Sequence, residues 1–319
     1  MSKREELAAA LQGIFKKKDV LADAPMSRYT TLRLGGPAEL LCEVSTIEQL
    51  KGALSLAAQF ETPVFLLGNG SNLLVKDGGL RGLVLHLADG FAEVGEPVPL
   101  PDGRVTRTAQ AGATLVKLAN AAADAGLCGL EFASGIPGTV GGGVCMNAGA
   151  YGGEMKDVVT GVTALTYAGE ARHFTGEEMR FGYRTSRVQS GEEPLIVVSA
   201  TVALEERDEE TIRATMREFA ARRREKQPLT EPCCGSTFKR PEGNFAGTLI
   251  EQCGLKGLHV GGASVSEKHA GFLVGGENCT AADYLALIAR VQNAVLEKTG
   301  VKLEPEVRIV GEDAPATEI

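Results

Sequence analysis

Apolar and polar positions along the chain switch between two periods, and the switches mark out its elements. Residues 1–18 mix apolar and charged positions and predict one exposed amphipathic helix. Ala38–Val44 is a nearly continuous apolar run of strand length, and Ile47–Gln59 then carries apolar residues at helical spacing. Ser45 and Glu48 predict a capping box at the start of that helix. Pro63–Leu67 and Leu83–Leu87 are short apolar runs flanked by glycine and read as strands. The proline-rich stretch Pro97–Gly103 predicts a hairpin or loop.

A second block, Val105–Leu204, holds the helix Thr114–Ala125, ended by Gly126, and strands at Val162–Tyr167 and Leu195–Leu204. Between them lies a glycine-rich stretch from Gly126 to Gly153. The third block opens with the helix Glu209–Lys226, whose Ile212, Met216 and Phe219 share one face, and Pro228 and Pro232 stop it. A last helix runs from a Thr280 cap through Val295 to Gly300. The final strand, around Val307–Val310, lies outside that block and is free to rejoin an earlier sheet. The expected divisions are 1–25, an N-terminal helix; 26–90, to which 302–312 can return; 91–205; and 206–301.

Composition narrows the function. The chain has 319 residues, 44% of them hydrophobic and 23% charged, the profile of a globular protein with a sizeable core. A net charge of −8, with the basic residues dispersed apart from Arg222–Arg224, argues against a nucleic-acid partner. No apolar run is long enough to span a bilayer, and the N-terminus lacks a signal-peptide pattern, so no membrane association is expected. Among seven cysteines the only close pair is Cys233-Cys234, and the four histidines form no metal-ligand spacing with them. The reading is a cytoplasmic protein with no metal and no obligatory protein partner.

Two glycine-rich segments carry the strongest chemical signal. Gly68-Asn69-Gly70-Ser71-Asn72-Leu73 follows an apolar strand and can form a backbone concavity suited to a phosphate or diphosphate. A tight turn between strands fits the same residues. In the second, Gly135-Ile136-Pro137-Gly138-Thr139 leads to Gly142 and then to Asn147-Ala148-Gly149. Such glycine density costs conformational entropy, so close backbone contact with a ligand is one explanation and a glycine-rich packing surface another. Neither segment is a Walker loop or a Rossmann fingerprint.

Three further motifs lie far apart in sequence. Phe181-Gly182-Tyr183-Arg184 sets an arginine beside an aromatic ring. Gly235-Ser236-Thr237-Phe238-Lys239-Arg240 gives a hydroxyl followed by two cations. Glu304-Pro305-Glu306-Val307-Arg308 puts a carboxylate before an apolar strand. Each alone also reads as surface charge or turn.

In order and context these motifs resemble the MurB family of UDP-N-acetylenolpyruvoylglucosamine reductases. The likeness runs from the opening segment Tyr29–Pro37 to Gly311. It implies an α+β, vanillyl-alcohol-oxidase-type (PCMH-type) FAD-binding fold of two subdomains with a separate α+β substrate-binding domain. Gly68–Leu74 is similar to the family's flavin-diphosphate loop, and Ser134–Gly142 with Asn147–Gly152 to its second flavin-contacting segment. The likeness assigns Arg184 to the substrate carboxylate, Ser236 to proton donation and Glu306 to the same reacting cluster. Tyr183, Lys239 and Arg240 fall where the family contacts substrate. Noncovalent FAD, NADPH as co-substrate and a sugar-nucleotide substrate follow as expectations. The short passage from Leu204 to the 209–226 helix leaves no room for the tyrosine loop of longer members. The residue chemistry agrees with reduction of an enolpyruvyl group: an arginine fork for a carboxylate, a hydroxyl for a proton, and cofactor-borne electrons.

Overall fold

The computed structural model describes residues 2–87, 89–191 and 193–314. Helix α1 (Lys3–Leu11) starts at Ser2, which forms a capping box with Glu5. It is shorter than the helix expected over 1–18, and it buries Leu7 and Leu11 while Lys3, Glu5 and Glu6 stay exposed. Gly13 interrupts the helical run, and seating Phe15 in the core outweighs the few backbone bonds forgone. The end of the expected N-terminal segment is instead a strand, β1 (Val20–Pro25).

Strand β2 (Pro37–Val44) leads to helix α2 (Ile47–Gln59). The cap is Thr46 and not Ser45: its hydroxyl accepts from Gln49 N–H at 3.1 Å, and Gln49 Oε1 accepts from Ser45 N–H at 2.8 Å. The expected box is thus shifted by one residue, because Thr46 has the extended backbone (φ −137°, ψ 160°) that a cap requires. β3 (Val64–Leu67), β4 (Leu73–Val75) and β5 (Leu80–Leu87) follow. The first sheet has the order β1-β2-β5-β3, with β3 and β5 parallel.

A second sheet is antiparallel. Its path is β12-β11-β13-β7-β6, built from β6 (Val98–Pro99), β7 (Val105–Gln110), β11 (Val159–Thr166), β12 (Ala171–Thr175) and β13 (Leu195–Glu206). The short β8 (Leu127–Cys128) also pairs with β13. Helix α3 (Leu115–Asp124) is capped by Thr114 as expected. Within the glycine-rich stretch lies an unexpected helix, α4 (Val140–Met146), and after it a two-stranded hairpin, β9 (Gly149–Ala150) with β10 (Gly153–Glu154). Helix propensity disfavours α4, yet its glycines are needed where they stand. A Cβ on Gly141 would lie 2.9 Å from the Ala111 methyl, and one on Gly143 3.1 Å from Leu115. Close packing overrides propensity there. The short α5 (Arg187–Ser190) and the long α6 (Glu209–Lys226) complete this part of the chain.

The remainder holds α7 (Ala246–Gln252), a small antiparallel sheet β14 (His259–Val260), β15 (Ala263–Val265) and β16 (Leu273–Gly275), then α8 (Ala281–Thr299) and β17 (Arg308–Val310). α8 begins at Thr280 in a capping box with Asp283 and ends at Gly300 with φ +72°. β17 does return to an earlier strand: Arg308, Ile309 and Val310 pair in parallel with Leu73, Leu74 and Val75 of β4.

Packing divides the chain into two compact units. The first comprises Met1–Leu21, Leu40–Asn69 and Leu83–Arg222, the second Ala22–Glu39, Gly70–Gly82 and Arg223–Ile319. The first has its own core, including Leu50, Leu54, Leu85, Leu118, Val144 and Val198. In the second, Leu74, Ile250, Leu273, Tyr284, Leu287 and Val307 pack together. Leu118 is fully buried in the first core. Leu118→Ala is expected to cost about 2–5 kcal/mol in urea unfolding, through lost transfer energy and the cavity left behind.

Candidate active site

In the first unit the two glycine-rich segments meet. β3 delivers Gly68, where a Cβ would lie 2.6 Å from Thr139 Oγ1, so only glycine allows this approach. The neighbouring Asn69 donates from Nδ2 to the Pro137 carbonyl at 3.1 Å. Thr139 caps α4, accepting from Gly142 N–H at 3.3 Å, and a bridge joins it to Thr114 at the start of α3. Asn69, Pro137 and Gly142 are exposed and Gly135, Ile136 and Gly138 half-buried, so a surface of backbone and short polar side chains remains open to a ligand. Such a donor set suits a diphosphate-bearing cofactor. The remaining loop residues, Gly70, Ser71, Asn72 and Leu73, belong to the second unit.

Arg184 is also in the first unit, on a four-residue turn closed by Gly182 N–H to Thr185 O at 3.0 Å and Thr185 N–H to Gly182 O at 3.3 Å. It occupies the third turn position with φ +54°, where glycine or asparagine is usual. Holding a side-chain-bearing residue there costs about 1–2 kcal/mol, a strain that needs support from its surroundings. That support is visible. The guanidinium donates to Gly149 O at 3.2 Å and Asn147 O at 3.5 Å, and lies 5.5 Å from the exposed Tyr183 ring centre.

Asn147 is the hub of this arrangement. It ends α4 in the left-handed conformation (φ +45°) and is fully buried. Its Nδ2 donates to Gly182 O at 2.9 Å and to the Glu154 carboxylate, while its Oδ1 accepts from Lys156 N–H at 2.9 Å. The Asn147 side chain ties the arginine turn to α4 and the β9–β10 hairpin. Ala148 and Gly149 continue from it, half-buried. At the hairpin tip Tyr151, with φ +53°, stacks on Phe219 of α6 at a centroid distance of 4.4 Å.

The second unit brings Ser236 and Glu306 together. Residues 237–239 run antiparallel to 304–306: Glu306 N–H donates to Thr237 O at 2.8 Å, Lys239 N–H donates to Glu304 O at 2.9 Å, and Phe238 bridges Pro305. Asn72 joins them, donating from Nδ2 to Glu306 O at 3.0 Å and accepting Arg308 N–H at its own carbonyl at 3.1 Å. Ser236 is exposed after Gly235, whose φ is +79°. The Lys239 ammonium faces Glu304 at 3.4 Å, and the Arg240 guanidinium lies over the Phe245 ring at 4.4 Å. Beneath the serine, Thr237, Tyr284 and Cys234 form a buried polar group that the sequence did not single out. Tyr284 falls on the apolar stripe of α8 and reads there as core.

Comparison with known proteins places the chain. A sequence profile described as UDP-N-acetylenolpyruvoylglucosamine reductase, C-terminal domain, matches residues 227–310, and an FAD binding domain profile matches residues 38–175. The UDP-N-acetylenolpyruvoylglucosamine reductase of Alkaliphilus oremlandii (strain OhILAs) is 48% identical over 304 residues, 95% of this chain and 97% of that protein. That of Clostridioides difficile (strain 630) is 46% identical over 309 residues, 97% of this chain and 99% of its own. The crystal structure of MurB from Thermus caldophilus superposes with a TM-score of 0.75 at 38% identity, covering 91% of this chain and 97% of that one. The α+β flavin-binding fold class expected from sequence is therefore the one observed. The chain belongs to the UDP-N-acetylenolpyruvoylglucosamine reductase (MurB) family.

Proposed function

We propose that this chain reduces the enolpyruvyl group of UDP-N-acetylglucosamine enolpyruvate to give UDP-N-acetylmuramate for peptidoglycan synthesis in the cytoplasm. FAD is held noncovalently, NADPH is the co-substrate, and residues 206–301 form the substrate-binding portion. The observation that carries the reading is that a chain of this family has Arg184, Ser236 and Glu306 in its sequence, in the motif contexts described above. Among the described residues no helix is long and apolar enough to cross a membrane.

The surface of Gly68, Asn69, Pro137, Gly138 and Gly142, with Thr139 buried beneath it, is open enough to take the diphosphate of FAD. When bound, FAD supplies the electrons that it takes from NADPH. Arg184 grips the substrate carboxylate in a two-pronged hydrogen bond and stabilises the negative charge that develops toward it. Its strained, multiply tethered turn aims the guanidinium before substrate arrives. Ser236 gives its hydroxyl proton to the carbon next to the carboxylate. Glu306 belongs to the same reacting cluster. Tyr183, Lys239 and Arg240 bind the substrate, and a cation near Ser236 favours the alkoxide it becomes.

The test is an anaerobic absorbance spectrum of the purified protein, recorded with NADPH and then with the enolpyruvyl sugar nucleotide. Flavin bands that bleach with the first and return with the second are expected. Bands that bleach and stay bleached overturn the substrate assignment, and no flavin bands after FAD is added overturn the cofactor.

A further inference from the structure

The polar group beneath Ser236 has only one consistent arrangement of hydrogens. Leu273 N–H lies 3.3 Å from Thr237 Oγ1, Thr237 Oγ1 lies 3.3 Å from Tyr284 Oη, and Tyr284 Oη lies 3.0 Å from Leu273 O. The amide can only donate, so the threonine oxygen accepts from it. The carbonyl can only accept, so the tyrosine uses its single hydrogen there. Between the two hydroxyls the donor must then be Thr237. The chain of bonds leaves Leu273 at its nitrogen and returns to it at its oxygen, and it fixes the Thr237 hydroxyl in one direction.

The same ring holds the backbone. Thr237 N–H donates to Gly271 O at 2.9 Å, and Thr237 O accepts from Glu306 N–H at 2.8 Å, so every polar group of this residue is engaged. Thr237 and Tyr284 are both fully buried. Thr237 is drawn inward while the adjoining Ser236 stays exposed, so the held backbone of Thr237 sets where Ser236 stands. The ring also stays neutral, since burial holds the Tyr284 phenol well above its ordinary range and pushes the adjoining Cys234 thiol up to about 12. A cost of about 1–3 kcal/mol for each buried polar atom left unmatched makes any other orientation of Thr237 unfavourable.

We infer that Thr237 and Tyr284 are positioning residues, whose closed ring with Leu273 aims the Ser236 hydroxyl for proton delivery. The inference rests on the reading of Ser236 as proton donor. Thr237→Val keeps the shape and removes the hydroxyl, whereas Thr237→Ser keeps the hydroxyl. Tyr284→Phe opens the ring from its other side.

The experiment is rapid mixing of the FAD-loaded protein, following flavin reduction by NADPH and then reoxidation by saturating enolpyruvyl sugar nucleotide, in H₂O and in D₂O. Thr237→Val and Tyr284→Phe are each expected to slow reoxidation about 10- to 100-fold, as misplacement of a reacting group does. Their solvent isotope effect should rise, flavin reduction should stay at the parent rate, and Thr237→Ser should recover most of the loss. Equal loss in both half-reactions, or reoxidation at the parent rate in both variants, overturns the inference. Failure of one variant to fold leaves the other to decide. Absence of reoxidation in the unaltered protein overturns the reductase reading instead, and is seen before any variant is made.

Discussion

Ser236→Ala is expected to slow reoxidation of the reduced flavin by the enolpyruvyl sugar nucleotide by about 10²- to 10⁴-fold, the usual range for losing a general acid. Reduction by NADPH should continue unchanged, because that step needs no proton from this residue. The contrast is a sharp test, since the serine side chain is exposed and removing its oxygen disturbs no core packing. Its backbone is held from the adjacent Thr237 and not through its own hydroxyl. Stopped-flow absorbance of the two half-reactions, with urea unfolding of the same sample, checks the claim. If both half-reactions fall together, Ser236 has a structural role and the proton comes from elsewhere.

Arg184→Lys should be nearly as damaging, with an expected loss of about 10²- to 10³-fold in the same half-reaction, comparable to removing a charge-stabilising donor. Lysine keeps the charge but not the planar fork, and it cannot reach both Gly149 O and Asn147 O while gripping a carboxylate. Folding and activity can be separated at this position. Arg184→Gly relieves a positive φ of 54°, which offsets the hydrogen bonds lost, so its stability should match the parent to within about 1 kcal/mol. Its reoxidation rate should be no better than that of the lysine variant. A glycine variant that unfolds far more readily would mean that the guanidinium serves the fold before it serves the reaction.

Legibility in the sequence followed the range of the forces involved. Helix α6 occupies the expected Glu209–Lys226, because apolar spacing and the following proline are local signals. α8 is likewise announced by Thr280 and Gly300. α4 was hidden, since three consecutive glycines argue against a helix and the reason for two of them, contact of Gly141 with Ala111 and of Gly143 with Leu115, lies elsewhere in the chain. The displaced cap of α2 is a subtler case: Ser45 and Thr46 are both good caps, and backbone direction alone chose between them.

Candidate residues divide the same way. Arg184, Ser236 and Glu306 stood out through motif context, but no local signal says that Glu306 N–H binds Thr237 O or that Asn72 binds Glu306 O. Asn147 was singled out for its glycine-rich surroundings, and only the structure shows its side chain spent on the arginine turn. Tyr284 could not be picked from an apolar helical stripe, because its hydroxyl matters only against Thr237 and Leu273, outside its own helix.

The parallel pairing of Arg308–Val310 with Leu73–Val75 bears on how a newly made chain matures. At a synthesis rate of roughly 5–20 residues per second, β4 waits on the order of ten to fifty seconds for its partner. Residues 73–75 are apolar and become buried, so during that wait they are a sticky, unfinished edge. The first unit draws only on residues up to Arg222 and can settle earlier. The segment carrying Glu306 also supplies the backbone that holds Thr237 beside Ser236. An incomplete product of translation would therefore lack the backbone that holds Thr237 beside Ser236.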